Sequence, residues 1–267
     1  MFEIWELKIR ISLVFSAWCL GFIIKNMVPP MIIIQQLISD FWNLFLNIFF
    51  PKYCVGCGQY GSFLCFSCAK NIENVRTGTC YYCGRITKDG KTCPACRQRE
   101  RSILAGIILS AGYEGGPVKE MIHHLKYNGI LEFADMLGEL MVERLRRKVP
   151  KGEIVVVPVP LHRNRQGQRG FNQSELLARY VSKKLKLPGG LALSKVVNTD
   201  PQVGKSGVYR KSNIQSAFRV EDKGLIEGKT VLLIDDVATT GSTLNECAKV
   251  LKSAGAKSVW GVVAARG

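Results

Sequence analysis

Thr230-Val-Leu-Leu-Ile-Asp235-Asp236-Val-Ala-Thr-Thr-Gly241-Ser-Thr-Leu244 is the stretch whose reading decides the fold. Residues 230–235 read as a strand, opening on the β-branched and aliphatic run Thr230–Ile234, the composition of a buried strand. It delivers two adjacent acids and then a turn of Thr, Gly and Ser residues, after which a helical pattern opens over 242–254. Such a strand–turn–helix unit belongs to a sheet whose strands alternate with helices. The pattern repeats outward in both directions: strands over 103–112, 154–159 and 258–264, and helices over 117–127, over 131–147 and from 173. Asn172 and Glu175 stand as a capping box before the last of these. The alternation predicts an α/β domain with a parallel sheet covered on both faces. Ligands of such sheets bind at the carboxyl ends of the strands, where Asp235 and Asp236 fall. The helix N-terminus that follows offers free N–H groups to a phosphate. Acids would repel that phosphate, so they face hydroxyl groups or a metal, and ribose 5-phosphate chemistry meets both demands. An N-cap Asp in a solvated turn would account for one acid, but not for two beside five small residues.

The second informative feature is the cysteines. Eight of ten form four C-x-x-C pairs between residues 54 and 96: Cys54/Cys57, Cys65/Cys68, Cys80/Cys83 and Cys93/Cys96. Cys19 and Cys247 stand alone. A disulfide framework is typical of small secreted chains, and an iron–sulfur cluster would use the same thiolates. Two C-x-x-C turns facing one centre make a tetrahedral thiolate site for Zn²⁺, which is the favoured reading. Gly58 and Gly84 directly follow their pairs, as suits tight turns. Each half repeats a knuckle–spacer–knuckle layout, so sequential pairing predicts two structural zinc ions. One would be held by Cys54, Cys57, Cys65 and Cys68, the other by Cys80, Cys83, Cys93 and Cys96. Cross-braced pairing fits the spacing as well. Reduced thiols imply the cytoplasm.

With 267 residues, 47% of them hydrophobic, the chain can bury a sizeable core and is not intrinsically disordered. Its formal charge is +16, which favours anionic partners. Four bases stand against three acids in 1–53, seven against three in 54–100, and 26 against 15 in 101–267. The surplus is thus spread over a folded region and not packed into a tail. We divide the chain into a hydrophobic N-terminal extension and helix (1–53), a cysteine-rich domain (54–100) joined through a basic linker at Arg97–Arg101, and an α/β domain (101–267). Within the extension, Ile11–Ile24 is free of charge but would span only about 21 Å as a helix, against about 30 Å for a bilayer core. No small-x-small cleavage site follows it, which argues against export. Residues 34–50 carry an apolar stripe at helical spacing. It reads as a helix docked on the body, with an interfacial membrane helix over 31–50, at the inner face of the membrane, as the competing reading. Translation starting at Met27 or Met31 would remove residues 1–26 or 1–30.

Asp235-Asp236-Val-Ala-Thr-Thr-Gly-Ser-Thr243 resembles the phosphoribosyl-diphosphate (PRPP) motif of type I phosphoribosyltransferases. From about Cys54 onward the chain resembles the ComF family of bacterial competence proteins, including its gluconate-associated branch, in which a zinc ribbon precedes a phosphoribosyltransferase-like domain. Four further motifs carry the likeness: His124-Leu-Lys-Tyr-Asn-Gly129; Val157-Pro-Val-Pro160; Arg169-Gly-Phe-Asn-Gln173; and Gln202 through Arg210 with Asn213, Ala217 and Phe218. Val197 and Lys205 depart from it, standing where a base and a leucine are expected. The resemblance implies that Asp235 and Asp236 hydrogen-bond the ribose 2- and 3-hydroxyls. It places the 5-phosphate on Ala238, Thr239, Thr240, Gly241, Ser242 and Thr243, and the pyrophosphate at Pro158, Val159 and Pro160. Mg²⁺ would be chelated mainly by PRPP itself. It also implies a link to DNA uptake, with single-stranded DNA, a DNA-uptake helicase or other competence proteins as partners.

Two functions compete. One is a Mg²⁺–PRPP-dependent transferase, although no residue announces itself as a general base. The other is a non-catalytic single-stranded DNA-binding or scaffold protein of the uptake machinery with a vestigial PRPP pocket. The segment His162–Phe171 carries Arg163, Arg165 and Arg169. It reads as a flap over pyrophosphate, as a DNA contact with Phe171 as stacking platform, or as a solvated basic loop. His123 and His124 lack partners at ligand spacing and read as surface or packing residues.

Overall fold

The computed structural model describes residues 38, 51–72, 75–113, 116–147, 150–197 and 217–267. The expectations for the N-terminal extension, and those resting on Gln202 through Asn213, lie outside the described residues. The chain divides into two compact units, one of residues up to Cys54 together with Gly58–Phe63, the other of Val55–Cys57 and Leu64–Gly267. In the first, Tyr53 and Tyr60 pair as an isolated antiparallel bridge with their rings edge-on at 5.9 Å.

In the second unit, the short helices α1 (Phe66–Lys70) and α2 (Pro94–Arg99) each start on a cysteine. The Cys65 and Cys93 sulfurs accept from the amides of Cys68 and Cys96, so the cap and the metal-binding turn are one structure. This capping carries helix α2 into the stretch expected as a linker, so residues 97–99 are helical. Strand β1 (Gly106–Ala111) follows, then α3 (Pro117–Tyr127), α4 (Glu132–Arg147), β2 (Ile154–Pro158), α5 (Arg163–Arg169), α6 (Gln173–Leu185), β3 (Leu193–Lys195), β4 (Phe218–Val220), α7 (Lys223–Ile226), β5 (Thr230–Ala238), α8 (Ser242–Ser253) and β6 (Ser258–Arg266).

Four parallel strands form the sheet in the order β1-β6-β5-β2, with Asp235 opposite Val263 and Pro158 opposite Ile234. Side chains alternate across each strand. Val155, Val157, Val231 and Leu233 pack with Leu244, Cys247 and Leu251 of α8 on one face. Helices α3, α4 and α6 pack on the strands and on one another, with Leu125, Leu137 and Leu177 fully buried. Leu232, Leu233 and Ile234 have no exposed surface, and each such side chain contributes about 1.5–3 kcal/mol by leaving water. That double burial explains why β5 reads as a continuous apolar run and not as an alternating one.

Three features differ from expectation. Residues 163–169 are helical, not a loop: His162 Nδ1 accepts from the Asn164 amide at 3.3 Å, and Gly170 closes the turn in the left-handed region at φ 82°. The antiparallel pair β3–β4 was not legible, because strands of three residues carry too short a pattern. At α6, Asn172 caps Ser174, but the Glu175 carboxylate pairs with Arg179 and leaves the reciprocal half of the capping box unmade.

Candidate functional site

The two acids lie inside paired strand β5, whose pairing continues to Ala238, and not in a loop beyond it. Consecutive strand residues point to opposite faces, and the acids accordingly meet different partners. Asp235 accepts from Ser174 Oγ at 2.7 Å and from the Asp236 amide at 3.0 Å. Asp236 is 3% exposed, and its Oδ1 lies 2.9 Å from Lys126 Nζ at the end of α3. Its Oδ2 is buried without a hydrogen-bond partner, as is Nδ1 of His124, two residues before Lys126. Burial foremost, and then the neighbouring Asp236, push the Asp235 carboxyl up to about 7, while Ser174, the Asp236 amide and Lys126 pull it back.

Beyond Ala238 the chain turns sharply. Thr239 and Thr240 are exposed, and Gly241 is left-handed at φ 71°. A side chain at 241 would be strained by that backbone, and its Cβ would lie 3.0 Å from Ile107 Cδ1. Gly241 has no side chain to cap helix α8. Thr240 Oγ1 accepts from the Ser242 amide at 3.3 Å and donates to Ser242 Oγ at 3.1 Å. A hydroxyl-lined turn thus leads into a 12-residue helix, the arrangement that accommodates a phosphate.

Pro158 ends β2 and Val159 and Pro160 follow it, beside Ile234 of β5, but the three offer no spare backbone donor. The prolines have no N–H, and the Val159 amide is taken by Ile234 O at 2.9 Å. Val159 O in turn accepts from Asn172 Nδ2 at 3.1 Å. These residues can shape a pocket, whereas donors for an anion must come from Leu161 onward. There α5 carries exposed Arg163, and Arg169 lies over the Tyr127 ring at 5.7 Å and bonds Gln173 Oε1. His123 and His124 pack against Tyr127 and Phe133 respectively.

The cysteines form two groups. Within Cys54, Cys57, Cys65 and Cys68, and again within Cys80, Cys83, Cys93 and Cys96, all four sulfurs lie within 4.8 Å of one another. A zinc tetrahedron with Zn–S bonds of about 2.3 Å has sulfurs about 3.8 Å apart. The Cys57–Cys65 and Cys83–Cys93 separations are 3.7 and 3.8 Å, far beyond a disulfide bond of about 2.05 Å. The donor set and its spacing therefore fit structural zinc.

Three residues that touch the site were not singled out from the sequence. Lys126 sits inside a quoted motif, but its reach to Asp236 depends on how α3 packs. Ser174 is hidden in an ordinary helix start. Tyr81, between two cysteines, donates from its hydroxyl to Ala238 O at 2.7 Å, a contact across 157 residues.

The comparisons with known proteins agree with this architecture. Residues 171–267 match the phosphoribosyl transferase domain family and residues 45–97 the double zinc ribbon domain family. Parallel sheet, acid-bearing strand and hydroxyl-lined turn, together with these matches, define a phosphoribosyltransferase-type domain behind a double zinc ribbon. Competence protein F of Haemophilus influenzae is 30% identical over 78% of this chain and 99% of its own length. DNA utilization protein YhgH of Escherichia coli K12 is 31% identical over 73% and 93%, and competence protein ComFC of Bacillus subtilis 27% over 72% and 79%. The chain belongs to the ComF family. Among the described residues no helix is long and apolar enough to cross a membrane.

Two measurements follow from this geometry. Elemental analysis is expected to give two zinc ions per chain, reduced to one by Cys83→Ser with Cys93→Ser; a single zinc in the wild type would refute the two-site arrangement. The second concerns Asp235. Its folded carboxyl keeps a proton up to about 7, whereas the unfolded one releases it near 3.8. The folded state thus binds more protons between those values, and stability falls as pH rises through that window. Asp235→Asn keeps the acceptor oxygen and cannot ionise. It is expected to melt about 2–4 °C above wild type at pH 8, the gap closing toward pH 4. A gap that does not change with pH would refute the assignment.

Proposed function

We propose that the carboxyl edge of β5 binds Mg²⁺–PRPP, and that the reaction class of the site is phosphoribosyl transfer. One observation carries this reading. Two acids, one holding a buried oxygen with no partner, run directly into a hydroxyl-rich turn with a left-handed glycine at a helix N-terminus. A buried acceptor left unmade costs about 1–3 kcal/mol, and a ribose hydroxyl has the donor it lacks. In this reading Asp235 and Asp236 take the 2- and 3-hydroxyls, and Ala238 through Thr243 take the 5-phosphate. The diphosphate lies between Leu161 and the α5 arginines. Mg²⁺, chelated by diphosphate and ribose oxygens, would offset the negative charge of the leaving group. Positive charge developing on the ribose as pyrophosphate departs would be stabilised by the acid pair, and positioning would supply the rest.

Calorimetry with Mg²⁺–PRPP is expected to show saturable binding that Asp235→Ala with Asp236→Ala abolishes. Equal affinity in the double variant would refute the site.

A second reading concerns single-stranded DNA, in keeping with the competence and DNA-utilization names of the relatives. A specific observation favours it. A cavity of about 870 Å³ along β1 is lined by Arg76, Lys91, Arg144, Lys151 and Lys257 around an apolar floor that includes Trp260. Non-specific binding through phosphates must weaken as salt rises. If α5 is the contact surface, neutralising Arg163, Arg165 and Arg169 together should lower the log–log salt slope by about two. An unchanged slope, with a reduced one after neutralising Lys91, Lys151 and Lys257, would move the DNA to the cavity. No binding by the wild type at low salt would end the direct-binding form of this reading.

A further inference from the structure

The second cysteine group does more than fold its own ribbon, because its knuckle reaches the phosphate turn. Tyr81, the first residue inside the Cys80–Cys83 pair, is 6% exposed, and its hydroxyl lies 2.7 Å from Ala238 O and 3.0 Å from Thr239 O. One hydroxyl proton is therefore shared by two successive carbonyls. In a planar trans peptide the C=O and the following N–H point in opposite directions. Drawing the Ala238 and Thr239 carbonyls toward the ribbon turns the Thr239 and Thr240 amides to the other side. Thr239 and Thr240 themselves are exposed, and α8 opens at Ser242.

The grip is reinforced from both flanks. Arg266 at the end of β6 donates to Tyr81 O at 3.1 Å, and its guanidinium lies 4.9 Å from the Tyr81 ring centre. The Gly267 amide donates to Ala238 O at 3.0 Å. Tyr82 packs edge-on against Tyr81 at 5.4 Å, donates to Ser102 Oγ, and leaves only 3.2 Å between its hydroxyl and the place of a Cβ at Gly241. Both tyrosines stand on a knuckle closed by the bonds from the Gly84 amide to Cys80 O and from the Cys80 amide to Arg85 O. That knuckle is anchored by four sulfurs in zinc-binding proximity.

We propose that Tyr81 is a positioning residue for the phosphate turn, so that metal loading of Cys80, Cys83, Cys93 and Cys96 sets how tightly the site holds a 5-phosphate. The inference rests on the sugar-phosphate reading of the site. It makes the second zinc a determinant of ligand affinity as well as of ribbon stability. Its signature is selectivity: ligands with a 5-phosphate depend on Tyr81, whereas free pyrophosphate, held toward Leu161 and α5, does not.

The test uses the full chain loaded with zinc. Mg²⁺–PRPP affinity is measured by calorimetry, and ribose 5-phosphate and pyrophosphate by competition. Tyr81→Phe keeps the ring and its contact with Arg266 but removes the shared hydrogen bond. It is expected to weaken PRPP and ribose 5-phosphate about five- to tenfold, the loss of one hydrogen bond, at unchanged pyrophosphate affinity and zinc content and with a melting temperature lowered by only about 2–4 °C. Amide exchange should speed up over 238–241 and not in α3 or α6. Cys83→Ser with Cys93→Ser, which empties the second site alone, should weaken the same two ligands at least as much. Unchanged PRPP affinity in Tyr81→Phe would overturn the proposal, as would an equal loss for pyrophosphate, which signals general loosening. A wild type that binds no PRPP at all would instead refute the underlying site reading, and this inference with it.

Discussion

A parallel strand cannot return to its neighbour through a tight turn, so each must leave the sheet at its carboxyl end and come back by a crossover. The rest of this structure depends on that constraint at β5. The strand is paired on both sides, β2 along Thr230–Ile234 and β6 along Thr230–Ala238, and its aliphatic residues are buried on both faces. Both registers fix it as far as Ile234, and the β6 register carries it on to its exit at Ala238. Whatever chemistry follows Ile234 is held at the sheet edge with little freedom, and the exit turn must reach α8 within three residues. Gly241 in the left-handed region meets that demand, and the small residues around it keep backbone accessible where a larger side chain would cover it.

The same rigidity sets the electrostatics. Neighbouring acids on one strand cannot both swing to water, since their directions are dictated by the pleat. One is received by a serine hydroxyl and a backbone amide, the other by a lysine from a different helix. The two carboxylates are therefore unequal: burial and its neighbour push the Asp235 carboxyl up to about 7, and Asp236 keeps a cation on one oxygen and no hydrogen-bond partner on the other.

How much of this was legible in the sequence depended on the length over which each signal accumulates. The four central strands and the long helices were readable because their periodicity runs over five or more residues. The helices expected over 117–127 and 131–147 correspond to Pro117–Tyr127 and Glu132–Arg147. The turn at Gly241 was readable because its residue types leave few conformations. What escaped was short or non-local. Helix α5, made of arginine, glutamine, asparagine and one glycine, owes its form to His162 at one end and Gly170 at the other, and its composition resembles a loop. Lys126, Ser174 and Tyr81 belong to the site only through packing. No spacing rule connects Tyr81 to Ala238, because the link is made by docking one folded element on another.

That docking also bears on why ribbon and sheet share one chain. The second ribbon abuts the sheet at two places: Lys91 bridges Gly106 at the start of β1, and Tyr81 meets the end of β5. At the first contact Gly106 is required by proximity alone, since a Cβ there would lie 2.6 Å from Gly90 O and 2.6 Å from the Trp260 ring. At the second, one hydroxyl is shared between the Ala238 carbonyl, which also accepts from the Gly267 amide, and the Thr239 carbonyl. A ribbon held only for its own stability would need neither. Contacts this close commit backbone to backbone and polar group to polar group, so displacement of the ribbon would leave the Tyr81 hydroxyl and the Thr239 carbonyl without partners in a partly buried seam. The ribbon and the phosphate turn are therefore expected to keep or lose their order together.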